Sequence, residues 1–446
     1  MRLFQPDHFR RRGCVLWPML RRGPAAVLTA ITLATGAAGA FGQDDDARLS
    51  GWTKVESSAE TRTFKEAMRG GSAFDAAARG FLEQIALPQL GLEVNRGTIE
   101  RVRKRMREFL LGDIANEKAA DEATKTFLTF MESLADKDDA DPIVRVNAML
   151  MIGELQGADR KPFQTAAAVL ARAASNTELP KAVRIAACVG LARHVEATKG
   201  LVDDQQRIAA VANPAILSIL KEPTRPEAVV ENDWLASRCL SMVPLLGPAA
   251  PPTIAEVVRI LGDSGRSINV RVRAAAALAA VAGPASKVDA AAAIQTIGTL
   301  AVVSLERDAA AADRIQLERQ YSGGTGSPGM GGPPGMGGPP GMGGDPFGQS
   351  PVQQLIPREV CRRAAWRLVV LADAILTDDS KRGLAVLGGE VSPASRDLAQ
   401  SLRRAAMDLD AVPEEATLRQ ALAELKPSAP AAGAQTGAPV PAGDKR

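Results

Sequence analysis

Histidine is nearly missing from this chain: His8 and His194 are the only two in 446 residues. Serine and cysteine triads require a histidine base and multi-histidine metal sites require several, so both are effectively excluded beyond the first forty residues. Cysteine is also scarce. Cys14 lies near the amino end, and Cys188, Cys239 and Cys361 form an odd set without short spacings. That argues against a disulfide framework and against a C-x-x-C-H haem attachment. Thiols in such Ala- and Val-rich surroundings behave as small buried hydrophobes. Aromatic residues are few as well, with 4 Trp, 1 Tyr and 11 Phe. Sheets favour aromatic and β-branched side chains, whereas alanine favours close-packed helices, so an all-β fold is nearly excluded. Nothing in this inventory implies a cofactor.

A basic protein invites thoughts of nucleic acid, but the positive charge is not spread along the chain. The net charge of +3 combines residues 1–40, with six arginines and one aspartate, and a remainder of 48 basic and 50 acidic residues. Arg2, Arg10, Arg11, Arg12, Arg21 and Arg22 precede a charge-free stretch, Pro24 to Gly42, which contains Ala38-Gly39-Ala40. This order of basic, apolar and small-residue regions predicts a secretory signal peptide over 1–40, cleaved after Ala40. An uncleaved membrane anchor is the competing expectation, and the Ala, Thr and Gly content of the stretch disfavours it. The predicted address is the periplasm or cell envelope, with residues 41–60 as a flexible start to the mature chain.

One helix is written several times. The segment DPIVRVNAMLMIGEL covers 141–155, and PKAVRIAACVGLARH follows at 180–194, 39 residues later. A third copy carries Val270, Arg271, Ala274, Leu278, Ala279 and Val281, and a fourth Cys361, Arg362, Ala365, Val369, Val370 and Ala372. Looser copies surround Arg238 and Arg396. Val144, Ala148, Ile152 and Leu155 fall on one stripe of an α-helix, and the small residues let a neighbouring helix approach closely. Asp141 before Pro142 suits an N-cap, because its carboxylate accepts from orphan N–H groups and proline has none to satisfy. Second helices are predicted near 162–174, 205–220, 252–261 and 288–320. Each pair is a hairpin that buries its apolar face only by stacking on its neighbours.

The D-x-x-V-R-x-x-A-x-x-x-L-G-x-L pattern resembles the HEAT repeat over roughly residues 135–410, on the ~40-residue period of that class. Armadillo-like α-α superhelices share the architecture. The resemblance implies an all-α superhelix, a solenoid of stacked helical hairpins over 134–426. It also implies an interior ladder of Asp141, Arg145, Arg184, Arg271 and Arg362, although only the first copy keeps the aspartate. Residues 61–133 read as a helical amino-terminal cap: Phe74, Ala78, Phe81, Leu82 and Ile85 form one apolar face, and Ile99, Val102, Met106, Phe109 and Leu110 another. Within the array, the GMGGPP near-repeat of 322–350 cannot form a packed core and predicts a disordered loop, and 427–446 predicts a disordered tail.

Several motifs are decoys. Gly324, Gly326 and Gly329 match G-x-G-x-x-G but lack the strand before and helix after that give it chemistry. Met330, Met336 and Met342 recur because the hexamer recurs, without calling for copper. The acidic run from Asp136 to Asp141 lacks the glycine and terminal glutamate of a calcium loop. His194, near the end of a predicted helix, suits the last carbonyls of that helix better than any ligand role. One charge excess remains: Arg101, Arg103, Lys104, Arg105 and Arg107 on the helix from about Thr98. With Ile99, Val102, Met106 and Phe109 turned inward, these bases form either a solvated face or a site for an acidic partner or anionic surface.

The expected function is an exported, non-catalytic scaffold or adaptor that binds a protein partner, with no nucleic acid and no evident small-molecule substrate. Two alternatives stand beside it. One is an enzyme or accessory subunit whose site is built from scattered Asp, Glu and Arg; the other is a structural envelope protein held to an anionic surface by the basic helix.

Overall fold

The computed structural model describes residues 55, 59–111, 115–223, 229–283, 286, 288–322, 351–376, 384–387 and 392–426. The predicted leader (1–40), most of the 41–60 segment, residues 323–350 of the Gly/Pro/Met-rich loop and the 427–446 tail lie outside them. Among the described residues the fold is all-α. There are fifteen α-helices among these residues, and extended pairing is confined to one bridge between Gln156 and Pro162. No helix among them is long and apolar enough to cross a membrane.

The amino-terminal part holds α1 (Ala59–Arg69), α2 (Ala76–Phe81), α3 (Ile99–Leu111) and α4 (Glu117–Asp136). Phe64 of α1 is fully buried, with ring centroids of Phe74, Phe81 and Phe109 at 6.3, 5.5 and 5.3 Å. Four of the chain's few aromatics thus sit together where short helices need bulk to fill the space between them. The array continues with α5 (Pro142–Ile152), α6 (Gln164–Ser175), α7 (Lys181–Ala197), α8 (Val202–Lys221) and α9 (Val229–Met242). Then follow α10 (Pro251–Gly262), α11 (Ile268–Val281), α12 (Ala290–Ser322), α13 (Pro351–Ile375), α14 (Pro393–Ala411) and α15 (Glu415–Leu425).

Two layers result. In one, α5, α7, α9, α11 and α13 each pack on the next; in the other, α6, α8, α10 and α12 do so, with α15 beyond them. Each hairpin joins the layers, and α4, read from sequence as part of the cap, is the first arm of the α4–α5 hairpin. Asp141 caps α5 as expected, accepting from the Ile143 N–H at 2.8 Å with Pro142 in the first position.

The repeated arginine has a local task. Arg145, Arg184 and Arg271 each donate Nε to the carbonyl ten residues earlier: Ala135 at 2.8 Å, Ala174 at 2.9 Å and Leu261 at 2.9 Å. Those three carbonyls belong to the penultimate residues of α4, α6 and α10. A helix end leaves such oxygens without intrahelical partners, and the next helix supplies a charged donor for each. Arg184 is wholly buried and its guanidinium also binds both carboxylate oxygens of Glu222.

The expected ladder does not form as drawn: Asp141 pairs with Arg96 at 2.9 Å rather than with a ladder arginine, and the buried-arginine pattern changes at two further places. In the Arg238 copy, the burial of Asn232, Asp233, Leu235, Ala236, Cys239 and Leu240 repeats that of Val183, Arg184, Ala186, Ala187, Gly190 and Leu191. Asp233, not Arg238, therefore occupies the ladder position, and it takes Arg266 Nη1 at 3.4 Å and the Ser267 N–H at 2.9 Å. The charge is inverted and the turn after α10 provides the cation. Arg362, expected in the ladder, is exposed instead. Its helix buries Arg367, which binds Asp308 at 2.7 Å and Asn269 at 2.9 Å.

Helices α5 and α7 meet more closely than side chains permit. A Cβ on Gly153 would lie 2.3 Å from the Gly190 Cα, so glycine is required on both sides of this crossing.

Candidate functional site

The five bases singled out from sequence separate once α3 is folded. Val102 and Met106 anchor the helix in the core, and Phe109 joins the aromatic cluster, so the basic positions ring the remaining faces. Arg101 and Arg105 are exposed, and Lys104 lies 3.9 Å from Glu108 one turn on. Arg103 turns toward α5, where Nη1 donates to Asn147 Oδ1 at 3.0 Å. Arg107 turns the same way and stands 3.6 Å from Glu154. Two of the five therefore face the array.

Glu154 receives a second cation. Arg193 of α7 donates Nη1 to its Oε1 at 3.0 Å, so one carboxylate lies between two guanidinium groups from different helices. These three side chains rim an open cleft of about 640 Å³, floored by Gly153, Leu155 and His194. The close crossing at Gly153 and Gly190 brings α7 near enough for this convergence. Its outer wall is a tight loop from Leu155 to Phe163. There Gly157 N–H donates to the Lys161 carbonyl at 2.9 Å, and Arg160 takes a left-handed conformation (φ 61°). Lys161 ties the loop to Asp204 at the start of α8, at 3.4 Å.

His194 does not cap its helix as the sequence suggests. Its ring is 2% exposed, and neither nitrogen completes a hydrogen bond; the His194 carbonyl is taken by Thr198 Oγ1 at 3.3 Å. Burial pushes its pKa down to about 4, with Arg193 adding to the shift and the nearby Ile152 carbonyl opposing it. The ring is thus neutral at pH 7.

Buried acids elsewhere are each held by an arginine. Asp233 faces Arg266 at 3.4 Å, Glu256 faces Arg259 at 2.6 Å, and Asp308 faces Arg367 at 2.7 Å. Burial raises the Asp308 pKa, an effect that Arg367 opposes. Cys188, Cys239 and Cys361 are free and buried, matching their reading as core residues. Cys239 is raised well above the usual thiol range by its hydrogen-bonded neighbour Cys188 and by burial, which keeps it protonated. Among the described residues no three His, Cys, Asp or Glu side chains are grouped to hold a metal ion.

The arrangement is suited to recognition. Paired guanidinium groups can bind planar anions bidentately, and any carboxylate reaching them would compete with Glu154. No family model, curated protein or solved structure matches the chain. Sequence reasoning named Arg107 but missed Glu154 and Arg193 as its partners. A signal was present, since these two lie 39 residues apart, one repeat, with opposite charge.

Proposed function

We propose that this chain is an exported, non-catalytic scaffold of HEAT-like helical repeats that binds a protein partner in the cell envelope. The observation that carries this reading is the cleft: its charges stand at an open rim, whereas the deeply buried charges are spent on helix ends and on one another. Stacked hairpins expose long continuous surfaces of this kind. The leader, with its arginines, apolar stretch and Ala38-Gly39-Ala40, supports the address. A catalytic reading draws less support, because Asp233, Glu256 and Asp308 are each neutralised by an arginine and none lines the cleft. Attachment through the basic helix also draws less, since Arg103 and Arg107 turn toward α5.

The test is affinity capture of the full chain from the envelope of its source cells, alongside the double variant R107E/R193E, with mass spectrometry of what is retained. The expected result is a reproducible protein partner whose recovery drops at least tenfold for the variant. Recovery of no reproducible partner would overturn the scaffold reading.

A further inference from the structure

Arg193 begins a row. Counted from the ladder position of each repeat, Arg193 is nine residues on from Arg184, Arg238 five from Asp233, and Arg273 two from Arg271. At 3.6 residues per turn these offsets place all three within about 60° of one another, on the helix face opposite the ladder. The row crosses α7, α9 and α11 of one layer. Arg238 lies over the ring of Trp234, with its guanidinium carbon 5.3 Å from the centroid, and Arg273 lies over Trp366 of α13 at 5.7 Å. Both tryptophans, like both arginines, are half-buried.

Neither of these two guanidinium groups forms a hydrogen bond or ion pair with another described residue. Burial lowers the pKa of Arg238; Glu196 opposes that effect, and Arg193 adds to it. Burial also lowers Arg273, with Arg238 adding to it. Two half-buried cations side by side, each stacked on a tryptophan and with no carboxylate between them, leave their guanidinium edges open to water or to an incoming anion.

We infer that this row binds an extended acidic peptide segment of the partner protein, its carboxylates spaced to meet Arg193, Arg238 and Arg273 and its backbone lying along Trp234 and Trp366. The inference rests on the scaffold reading and adds the chemistry of the partner. Packed helices lie about 8–10 Å apart, and a peptide in the polyproline II conformation presents every third side chain on one face, about 9 Å apart. The half-buried Arg238 and Arg273 suit a narrow chain better than a flat lipid surface. Glu154 and Glu196 on the same side repel a continuous phosphate backbone, whereas separate carboxylates can alternate with them.

The probe is a fluorescein-labelled (Glu-Pro-Pro)4 peptide, read by anisotropy against the full chain at 20 and 150 mM NaCl. We expect R238E/R273E to weaken binding at least tenfold and the charge-matched control R62E/K118E, at exposed positions of α1 and α4, to stay within twofold. Tryptophan emission is expected to change on binding. Equal losses in the two variants, or none in either, overturn the inference. So does tighter binding of a twelve-residue oligothymidylate or of phosphatidylglycerol vesicles that depends on the same arginines. Should R238E/R273E fail to fold by circular dichroism, R193A, at an exposed position, is expected to weaken the peptide at least threefold, and unchanged affinity overturns the inference. A captured partner whose recovery is unaffected by R238E/R273E overturns the inference and leaves the scaffold reading standing. Absence of any captured partner removes that reading even where the peptide binds.

Discussion

Acid is expected to weaken this fold through one side chain. The ring of His194 is 2% exposed and its pKa is pushed down from 6.5 to about 4, with burial as the main cause and Arg193 as a second one. A base whose folded pKa is depressed takes up its proton more readily in the unfolded chain. The stability held above pH 6.5 is therefore lost as the pH falls through the window from 6.5 to about 4. Linkage puts the loss at about 2 kcal/mol at pH 5, rising to about 3.4 kcal/mol below the folded pKa. The perturbation is His194→Gln, which keeps polarity and approximate size but does not titrate. The assay is urea unfolding of parent and variant at pH 7.5 and pH 5, with the difference in unfolding free energy taken at each pH. The variant is expected to lose about 2 kcal/mol less than the parent over that interval. Parallel losses in both proteins refute the reasoning. A His194 ring signal that titrates near 6.5 by NMR refutes it independently, because it would place the ring in water.

Three further outcomes follow from the packing. Gly153→Ala drives a Cβ to 2.3 Å from the Gly190 Cα, backbone against backbone, and is expected to cost about 1–3 kcal/mol. Gly262→Ala, where a Cβ meets nothing within 4 Å, is expected to be neutral or stabilising by up to about 1 kcal/mol; thermal melts of both check the pair. Arg184→Met strips the Ala174 carbonyl of its charged donor and leaves Glu222 with Lys181 alone at 3.5 Å, at an expected cost of about 2–3 kcal/mol in urea unfolding. An additional Glu222→Met is expected to recover part of that loss, and a double-mutant cycle with no coupling would rule the pair out as a strut. Phe64→Ala opens a cavity among Phe74, Phe81 and Phe109 and is expected to cost about 3–5 kcal/mol, with hydrogen exchange accelerating first in α1 to α3.

Acid sensitivity and the proposed binding surface meet in the same cleft. His194 forms its floor and Arg193 its rim, and both belong to the last turns of α7. A positive charge on the ring would repel Arg193 in a low-dielectric setting, so the cost of protonation is borne where the Arg193–Glu154 pair is formed. The glycines make this possible. Without the close crossing at Gly153 and Gly190, α5 and α7 would stand apart and the two guanidinium groups would not share one carboxylate.

The helices, their pairing into hairpins and the Asp141 cap are legible in the sequence, because each depends on spacing within one segment. Apolar residues three and four apart define a buried stripe whatever the stripe is packed against. The burial of Arg145, Arg184 and Arg271 is equally local, since each reaches a carbonyl only ten residues back. Exceptions arise where partners come from further away. Asp233 replaces an arginine in the ladder because Arg266, 33 residues on, returns to meet it, and Arg367 displaces Arg362 because Asp308, 59 residues back, lies beneath it. The cleft belongs to that second kind. Arg107 was visible as a base on a helix, but its company of Glu154, Arg193 and His194 required three elements at a set distance. That distance is decided by how closely two glycines let backbones approach, a property of the packed pair that neither helix carries alone.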